Sequence, residues 1–385
     1  MKELPFNRSS IQGAELDYIR HTIEIGQVSG DRTYSHKCQS LLQEALGCGR
    51  ALVMTSCTHA LETAGLLLDL KEGDEVIVPG FTFVSTANAF VLRGAKPVFC
   101  DIRPDTLNLD ETKLEALITT RTKAIVPVHY AGVGCEMDAI MEIANRRGVA
   151  VIEDNAHGLF GKYKERWLGT FGHMSTLSFH ETKNITCGEG GALLINDKAH
   201  EERAEIIREK GTNRARFFRG QVDKYSWVDV GSSYVMSDVL AAFLYGQLEQ
   251  WENIQAKRKA IWERYDEALS EWATANGIRR PIIPDHCEQA YHMYYLLMPS
   301  LKARTDFIAR LKTQGVNAVF HYLPLNKSAY ALQMADNGWR RTDCPVTEDV
   351  SDRLVRLPFY TSMSEDEQNR VIDAVLGWTL SAGEE

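Results

Sequence analysis

Apolar residues gather into short runs along the first half of the chain, at 51–54, 75–78, 97–101, 124–128, 149–153, 175–179 and 192–195. None of these runs alternates strictly with polar positions, which is the signature of strands covered on both faces. Between most of them lie stretches with apolar residues at helical spacing: 59–70, 84–93, 111–117 and 137–147. Strand, helix, strand in this rhythm predicts an α/β fold whose sheet is mostly parallel and flanked by helices. The later runs follow one another without a long helix between them, so part of the sheet is expected to be antiparallel.

The ends of the chain read differently. Residues 11–25 place Leu16, Ile19 and Ile23 on one helical face, 26–33 form a glycine-punctuated loop, and 34–46 resume a helix that stops near Gly47. After a charged helix at 198–210 comes a polar, aromatic stretch, 211–233, long enough to be a functional loop. A long helical pattern from 237 to about 269 suits a connector. Beyond it, 292–298, 301–313, 318–322 and 364–376 alternate between strand-like and helical character, predicting a smaller α+β domain. The expected division is an N-terminal segment 1–25, a large domain 26–248 and a small C-terminal domain 249–385, with a frayed tail at 381–385.

Several residues with chemical potential fall just after the predicted strands. Thr55-Ser56-Cys57-Thr58 opens the helix at 59–70, and free N–H groups at a helix start attract phosphate. Capping alone accounts for one such hydroxyl. Phe83 follows a strand and starts a helix, where an aromatic ring either packs in the core or stacks on a flat ligand. Asp154 closes the run VAVIED with His157 three residues on; a carboxylate there caps a loop or faces the crevice where α/β folds bind ligands. Lys183 sits between a strand and the segment Gly188-Glu189-Gly190-Gly191. A loop-tip lysine is ordinarily solvated, yet a desolvated one condenses with an aldehyde. Phosphate site, flat-ring stacker, carboxylate and lysine together match pyridoxal 5′-phosphate.

Charge and cysteine usage narrow the partners. The 385-residue chain carries a net charge of -9, which argues against a nucleic-acid or anionic-membrane surface. No window has the roughly 18 uninterrupted apolar residues of a membrane span. Eight cysteines are scattered without zinc spacing, so no metal site is expected and a reducing cytoplasm is the expected location.

The stretches FTFVSTANAFVLRGAK, VPVHYAGV, SFHETKN, GEGGALLINDKA and REKGTNRARFFRGQVDKY give the chain a resemblance to the DegT/DnrJ/EryC1/StrS sugar aminotransferases, densest between Thr55 and Asp238. These are fold-type-I pyridoxal phosphate enzymes. The resemblance implies that Lys183 bonds the cofactor aldehyde and Asp154 pairs with the pyridinium nitrogen. His157 would contact the ring near its phenolic oxygen and Phe83 would stack on it. Ser56, Cys57, Thr58 and Ser178 would hold the phosphate. It further implies a homodimer with active sites at the interface, an amino acid donor such as glutamate, and a nucleotide-linked keto-sugar acceptor. The favoured acceptor is dTDP-4-keto-6-deoxy-D-glucose, aminated at C4 to the galacto product rather than at C3.

Two departures stand out. Many relatives carry an Asn, donated by the neighbouring subunit, in a Y-N-x-x-D motif; here Val235 occupies it, with Ser232 and Ser233 as possible replacements. Asn326 stands where many relatives have a His. Tyr322 and Asn326 are taken as substrate candidates, with Arg219 and Lys224 as candidates for the sugar diphosphate. Competing readings are a lyase or desulfurase using Cys187, and a cofactor-binding regulator without catalysis.

Overall fold

The computed structural model describes residues 3–380. The seven apolar runs all become strands of one sheet: β1 (Arg50–Met54), β2 (Glu75–Pro79), β3 (Lys96–Cys100), β4 (Thr122–Ile125), β5 (Ala150–Asp154), β6 (Met174–Ser178) and β7 (Gly191–Ile195). Their spatial order is β1-β7-β6-β5-β4-β2-β3. Every neighbouring pair is parallel except those of β7, which runs antiparallel to both β1 and β6. The absence of a helix before β7 is what permits this, since an antiparallel neighbour needs only a loop.

Helices cover both faces, which explains the unbroken apolar runs. Leu52 and Met54 join a core with the helices Cys57–Leu67 and Ser85–Val91. Ala51 and Val53 project the other way, into a core with the helices Thr33–Leu46 and Asp238–Leu248. The buried Asp238 carboxylate ties those two helices together, accepting from the Tyr34 and Ser35 N–H groups at 2.9 and 2.8 Å. Gly47 ends the first of them at φ 69°, a left-handed conformation natural to glycine.

Three sequence expectations change. The helix Glu15–Glu24 forms, but Leu16 and Ile23 on its apolar face are 56% and 59% exposed in the single chain. A polar anchor sets its rotation instead: the buried Glu15 carboxylate accepts from the Gln12 and Gly13 N–H groups and from Gln247. The expected single helix from 237 to 269 is two, Asp238–Leu248 and Trp251–Ala275. The turn between them lets Trp251 stack on Phe160 with ring centroids 4.2 Å apart. Residues 318–322 make no strand ladder; a single bridge joins Val319 to Arg356.

A second core lies in the C-terminal part, where Tyr265, Tyr294, Phe307 and Val375 pack around the two-stranded pair Tyr295–Leu297 and Leu354–Arg356. Leu4 belongs to this core as well, its N–H donating to the Gly315 carbonyl at 2.8 Å. Ile254, near the start of the helix Trp251–Ala275, packs instead in the core of the large sheet. That helix therefore spans both cores.

Candidate active site

The carboxyl ends of β1, β2, β5 and β6 open into one cavity of about 750 Å³. Ser56, Cys57 and Thr58 reach it from β1, Phe83, Ser85 and Thr86 from β2, Asp154 and His157 from β5, and Ser178 and Lys183 from β6. All eight residues proposed from the sequence to hold the cofactor thus line a single space.

The helix Cys57–Leu67 points its N-terminus into the cavity. Ser56 caps it, its hydroxyl accepting from the His59 N–H at 3.1 Å, and the preceding N–H groups stay directed at the space in front. The Thr58 hydroxyl donates to Ser85 at 2.9 Å, which brings a further hydroxyl to this corner. Gly191 explains how β7 passes so close: a Cβ there would overlap the backbone of Ser56 and Cys57. The GEGG segment thus serves clearance.

Asp154 is buried, and burial raises its pKa. Opposing this, the Thr86 hydroxyl donates to Oδ2 at 2.7 Å and the Ala156 N–H to Oδ1 at 3.2 Å. Thr86 in turn shares a hydrogen bond with Thr82 at 2.8 Å. No described cation pairs with Asp154 in a salt bridge, so the carboxylate has capacity for a cationic ligand group.

Lys183 lies in a loop whose ends are pinned. Its own N–H donates to the His180 carbonyl at 2.9 Å, and the next side chain, Asn184, reaches the Ala290 carbonyl at 2.5 Å and His292 Nδ1 at 2.9 Å. Burial lowers the Lys183 pKa from 10.5 to about 8, with Cys57 and Asp154 opposing and Arg356 reinforcing. A substantial neutral fraction near pH 8 is what a nucleophilic amine needs.

His157 stacks on His292 with centroids 4.2 Å apart, and its Nε2 lies 3.3 Å from the Tyr322 hydroxyl. Burial, aided by the Lys183 and Arg356 charges, drives its pKa well down, so the ring is neutral. Its Nδ1 is buried with no partner among the described residues. An orphaned ring nitrogen beside a depressed lysine and an unpaired carboxylate fits a polar aromatic ligand, as pyridoxal phosphate is.

The far wall comes from the C-terminal part of the chain and the N-terminus: Phe6, Asn7, His292, Met293, Phe320, His321, Tyr322, Arg356 and Phe359. His321 stacks on Tyr322 at 3.6 Å and bonds the Tyr130 hydroxyl through Nδ1 at 2.7 Å. Sequence reading reached only Tyr322 here. Asn326 faces elsewhere: its amide donates to Glu348 at 3.1 Å, outside the cavity lining. Arg219 is ion-paired with Glu205 at 2.8 Å and Lys224 is exposed; neither lines the cavity of this chain. Ser232 and Ser233 are exposed and also lie outside that lining, while Val235 bridges to Met54.

The model of the DegT/DnrJ/EryC1/StrS aminotransferase family matches residues 9–376. The chain belongs to that family. It is a pyridoxal phosphate-dependent aminotransferase of the fold-type-I architecture. The spore coat polysaccharide biosynthesis protein SpsC of Bacillus subtilis is 34% identical over 382 residues, 97% of this chain and 96% of the relative. Among solved structures, the aminotransferase TlmJ of Streptoalloteichus hindustanus is 29% identical with a TM-score of 0.88, covering 97% of both chains. Helicobacter pylori PseC, an aminotransferase involved in the biosynthesis of pseudoaminic acid, is 26% identical with a TM-score of 0.88, covering 97% of this chain and 98% of PseC.

Membership in an aminotransferase family removes both competing readings. A desulfurase also lacks its cysteine: Cys187 is 4% exposed, its thiol pKa is raised by burial, and it packs in the core with Leu177 and Phe179. Among the described residues no helix of this aminotransferase is long and apolar enough to cross a membrane.

Proposed function

We propose that the enzyme transfers the amino group of L-glutamate to C4 of dTDP-4-keto-6-deoxy-D-glucose, giving the galacto-configured dTDP-4-amino-4,6-dideoxyhexose. The convergence of Lys183, Asp154, His157 and the Cys57–Leu67 helix start on one cavity carries the cofactor assignment. The sequence stretches around Phe83, Lys183 and the segment 208–225 support the sugar.

The bound cofactor supplies an electron sink for negative charge developing at the carbon that bears the amine. The residues of the chain do the rest. The Ser56, Cys57, Thr58 and Ser178 region binds the phosphate, aided by the helix dipole. Asp154 holds a positive ring nitrogen, a role that offsets the unfavourable burial of its own charge. His157 bonds the ring's phenolic oxygen, and Phe83 at the cavity rim covers the ring face. Lys183 would tether the cofactor, and its amine would act as base and then acid at the amine-bearing carbon. The neutral fraction that burial confers suits the basic half of that task.

The site is proposed to be completed by a second copy of the chain. Phe83 at the cavity, Val84, Leu92, and Phe218 and Trp227 in the 211–233 stretch are exposed at 56%, 55%, 63%, 67% and 81%, and Leu16 and Ile23 are exposed as well. Exposed apolar area on this scale favours an interface. In this arrangement Ser232, Ser233, Arg219 and Lys224 serve the neighbouring cavity, and the enzyme works in the cytoplasm. Sedimentation analysis tests the dimer; a monomer at micromolar concentration refutes it.

The deciding assay mixes the purified enzyme with L-glutamate and a panel of dTDP- and UDP-linked 3-keto and 4-keto sugars. The products are then resolved as axial or equatorial amines. Amination of a C3 ketone, or an equatorial C4 amine, overturns the proposed specificity.

A further inference from the structure

Between the buried Phe179 and the buried Ile185, the residues 180–184 that carry Lys183 include no buried side chain. Packing therefore does not place the lysine; hydrogen bonds do. Its own N–H turns back to the His180 carbonyl at 2.9 Å, a local contact that shapes the turn but does not fix where the turn sits. Among the described residues, the side-chain bonds that tie this stretch to distant chain come from Asn184 on one side of the lysine and from Asn7 and Ser9 on the other. Asn7 Nδ2 and the Ser9 hydroxyl donate to the Glu181 carbonyl at 3.0 and 3.4 Å, both in exposed surroundings. Asn184 makes the partly buried set. Its Nδ2 donates to the Ala290 carbonyl at 2.5 Å and to Gln255 Oε1 at 3.3 Å, and its Oδ1 faces His292 Nδ1 at 2.9 Å.

These partners assign the protons. A backbone carbonyl only accepts, so the Asn184 nitrogen faces Ala290 and its oxygen faces the histidine. His292 Nδ1 is then the donor. Burial, aided by the His157, Lys183 and Arg258 charges, drives the His292 pKa well down, so the ring is neutral and Nε2 keeps its lone pair. His292 lines the cavity, and its ring stacks on that of His157 with centroids 4.2 Å apart. One amide thus joins the loop of the lysine to the ring that braces His157. That joint matters most when the lysine is free. While Lys183 is bonded to the cofactor, the bond itself keeps the nitrogen in place. Once released, the amine is held by its backbone alone, and a displacement of ~1 Å costs on the order of 100-fold in rate.

We infer that Asn184 is a positioning residue for the reacting lysine, anchoring its loop to Ala290 and His292 so that the freed amine stays within reach of the carbon it serves. The inference rests on Lys183 being the lysine that bonds the cofactor.

The test compares wild type with Asn184→Ala, Asn184→Gln and Gln255→Ala. In cofactor-free protein, acetylation of Lys183 by acetic anhydride is followed against pH by mass spectrometry. The wild-type midpoint is expected at about 8. In Asn184→Ala the loosened loop hydrates the amine, and the midpoint rises to roughly 9 or above. In the loaded enzyme with L-glutamate, Asn184→Ala loses roughly 10- to 100-fold in kcat, while KM changes less than about threefold. A merely structural role would lower thermal stability and leave both the midpoint and the ratio of kcat to KM effects untouched. Asn184→Gln, whose amide sits one methylene further out, shows the same pattern more weakly and serves if the alanine variant does not fold. Gln255→Ala removes only the 3.3 Å partner and stays within about twofold of wild type in kcat. An unmoved midpoint, an unmoved kcat, or a loss carried by KM instead, in an Asn184 variant that folds, overturns the inference. Borohydride reduction of the loaded wild-type enzyme checks the underlying assignment separately: cofactor mass found on a lysine other than Lys183 overturns that assignment.

Discussion

Replacing Lys183 with methionine separates the cost of holding an amine in the cavity wall from its use in catalysis. In the folded chain the Lys183 pKa falls from 10.5 to about 8, chiefly through desolvation. Below pH 8 the folded and unfolded states both hold the proton, and the fold carries the full penalty of a buried ammonium. Between pH 8 and 10.5 the folded amine is neutral while the unfolded one remains charged, so stability climbs with pH. A shift of 2.5 units corresponds to about 3 kcal/mol. Cofactor-free Lys183→Met is therefore expected to exceed cofactor-free wild type by up to about 3 kcal/mol at pH 7 in urea unfolding. The advantage shrinks as pH passes from 8 to 10.5. The same variant mixed with pyridoxal phosphate lacks the visible absorbance of lysine-bound cofactor and does not turn over. Parallel stability curves for the two proteins across that pH range would refute the desolvation argument, and persistent turnover would refute the catalytic one.

Thr86→Val removes the hydroxyl that donates to Asp154 at 2.7 Å, and a charge-assisted bond of this kind contributes about 1.5–3 kcal/mol. The variant is expected to retain cofactor, lose about tenfold or more in kcat, and shift the acid limb of its pH–rate profile upward, because Asp154 must remain ionised; an unmoved acid limb counts against the role given to Asp154. Gly191→Ala forces a Cβ against the Ser56 and Cys57 backbone, so spectral titration should show weaker pyridoxal phosphate binding together with a stability loss of about 1–3 kcal/mol. Wild-type affinity would mean that β7 moves aside freely. Arg258 donates to the Tyr291 and His292 carbonyls at 2.9 and 2.7 Å and packs over Phe359 at 4.6 Å. Arg258→Met leaves both carbonyls short of a donor and should lower unfolding free energy by about 3 kcal/mol.

The cofactor side of the cavity was legible because parallel α/β topology puts functional residues in one predictable place. Asp154, Lys183 and the 56–58 hydroxyls each follow an apolar run that could only be a buried strand, and the carboxyl ends of parallel strands share one edge. Thr82, Ser85 and Thr86 stand in the same segment as Phe83, but nothing in the sequence singled them out, and only the 2.7 Å contact with Asp154 distinguishes Thr86. The face of the Glu15–Glu24 helix was illegible for a different reason. Periodicity found its apolar stripe, while Glu15, a charged residue that pattern alone sends to solvent, fixed its orientation. Asn326 misled because its position was judged against a motif, and the short turn Leu325–Lys327 points it at Glu348.

The far wall of the cavity was hidden because most of its residues come from no periodic element. His292, His321, Tyr322 and Phe6 lie in irregular chain, and their meeting depends on how the C-terminal core packs against the large sheet. Arg356 does lie on a strand, in the run LVRLPFY, yet nothing local reveals that it lines the same cavity as Lys183. That docking is held by the helix Trp251–Ala275, which roots Ile254 in one core and Tyr265 in the other, and by Arg258 between them. The two walls therefore answer to different constraints. Substitutions at Cys57, Asp154 or Lys183 are expected to act on cofactor retention through the rigid sheet, whereas substitutions at His292 or His321 are expected to act on substrate KM through the C-terminal part of the chain. Measuring cofactor affinity and donor KM on the same set of variants checks this division: His321→Ala should raise KM at near-constant pyridoxal phosphate affinity, and a parallel loss of both would show that the two walls behave as one unit.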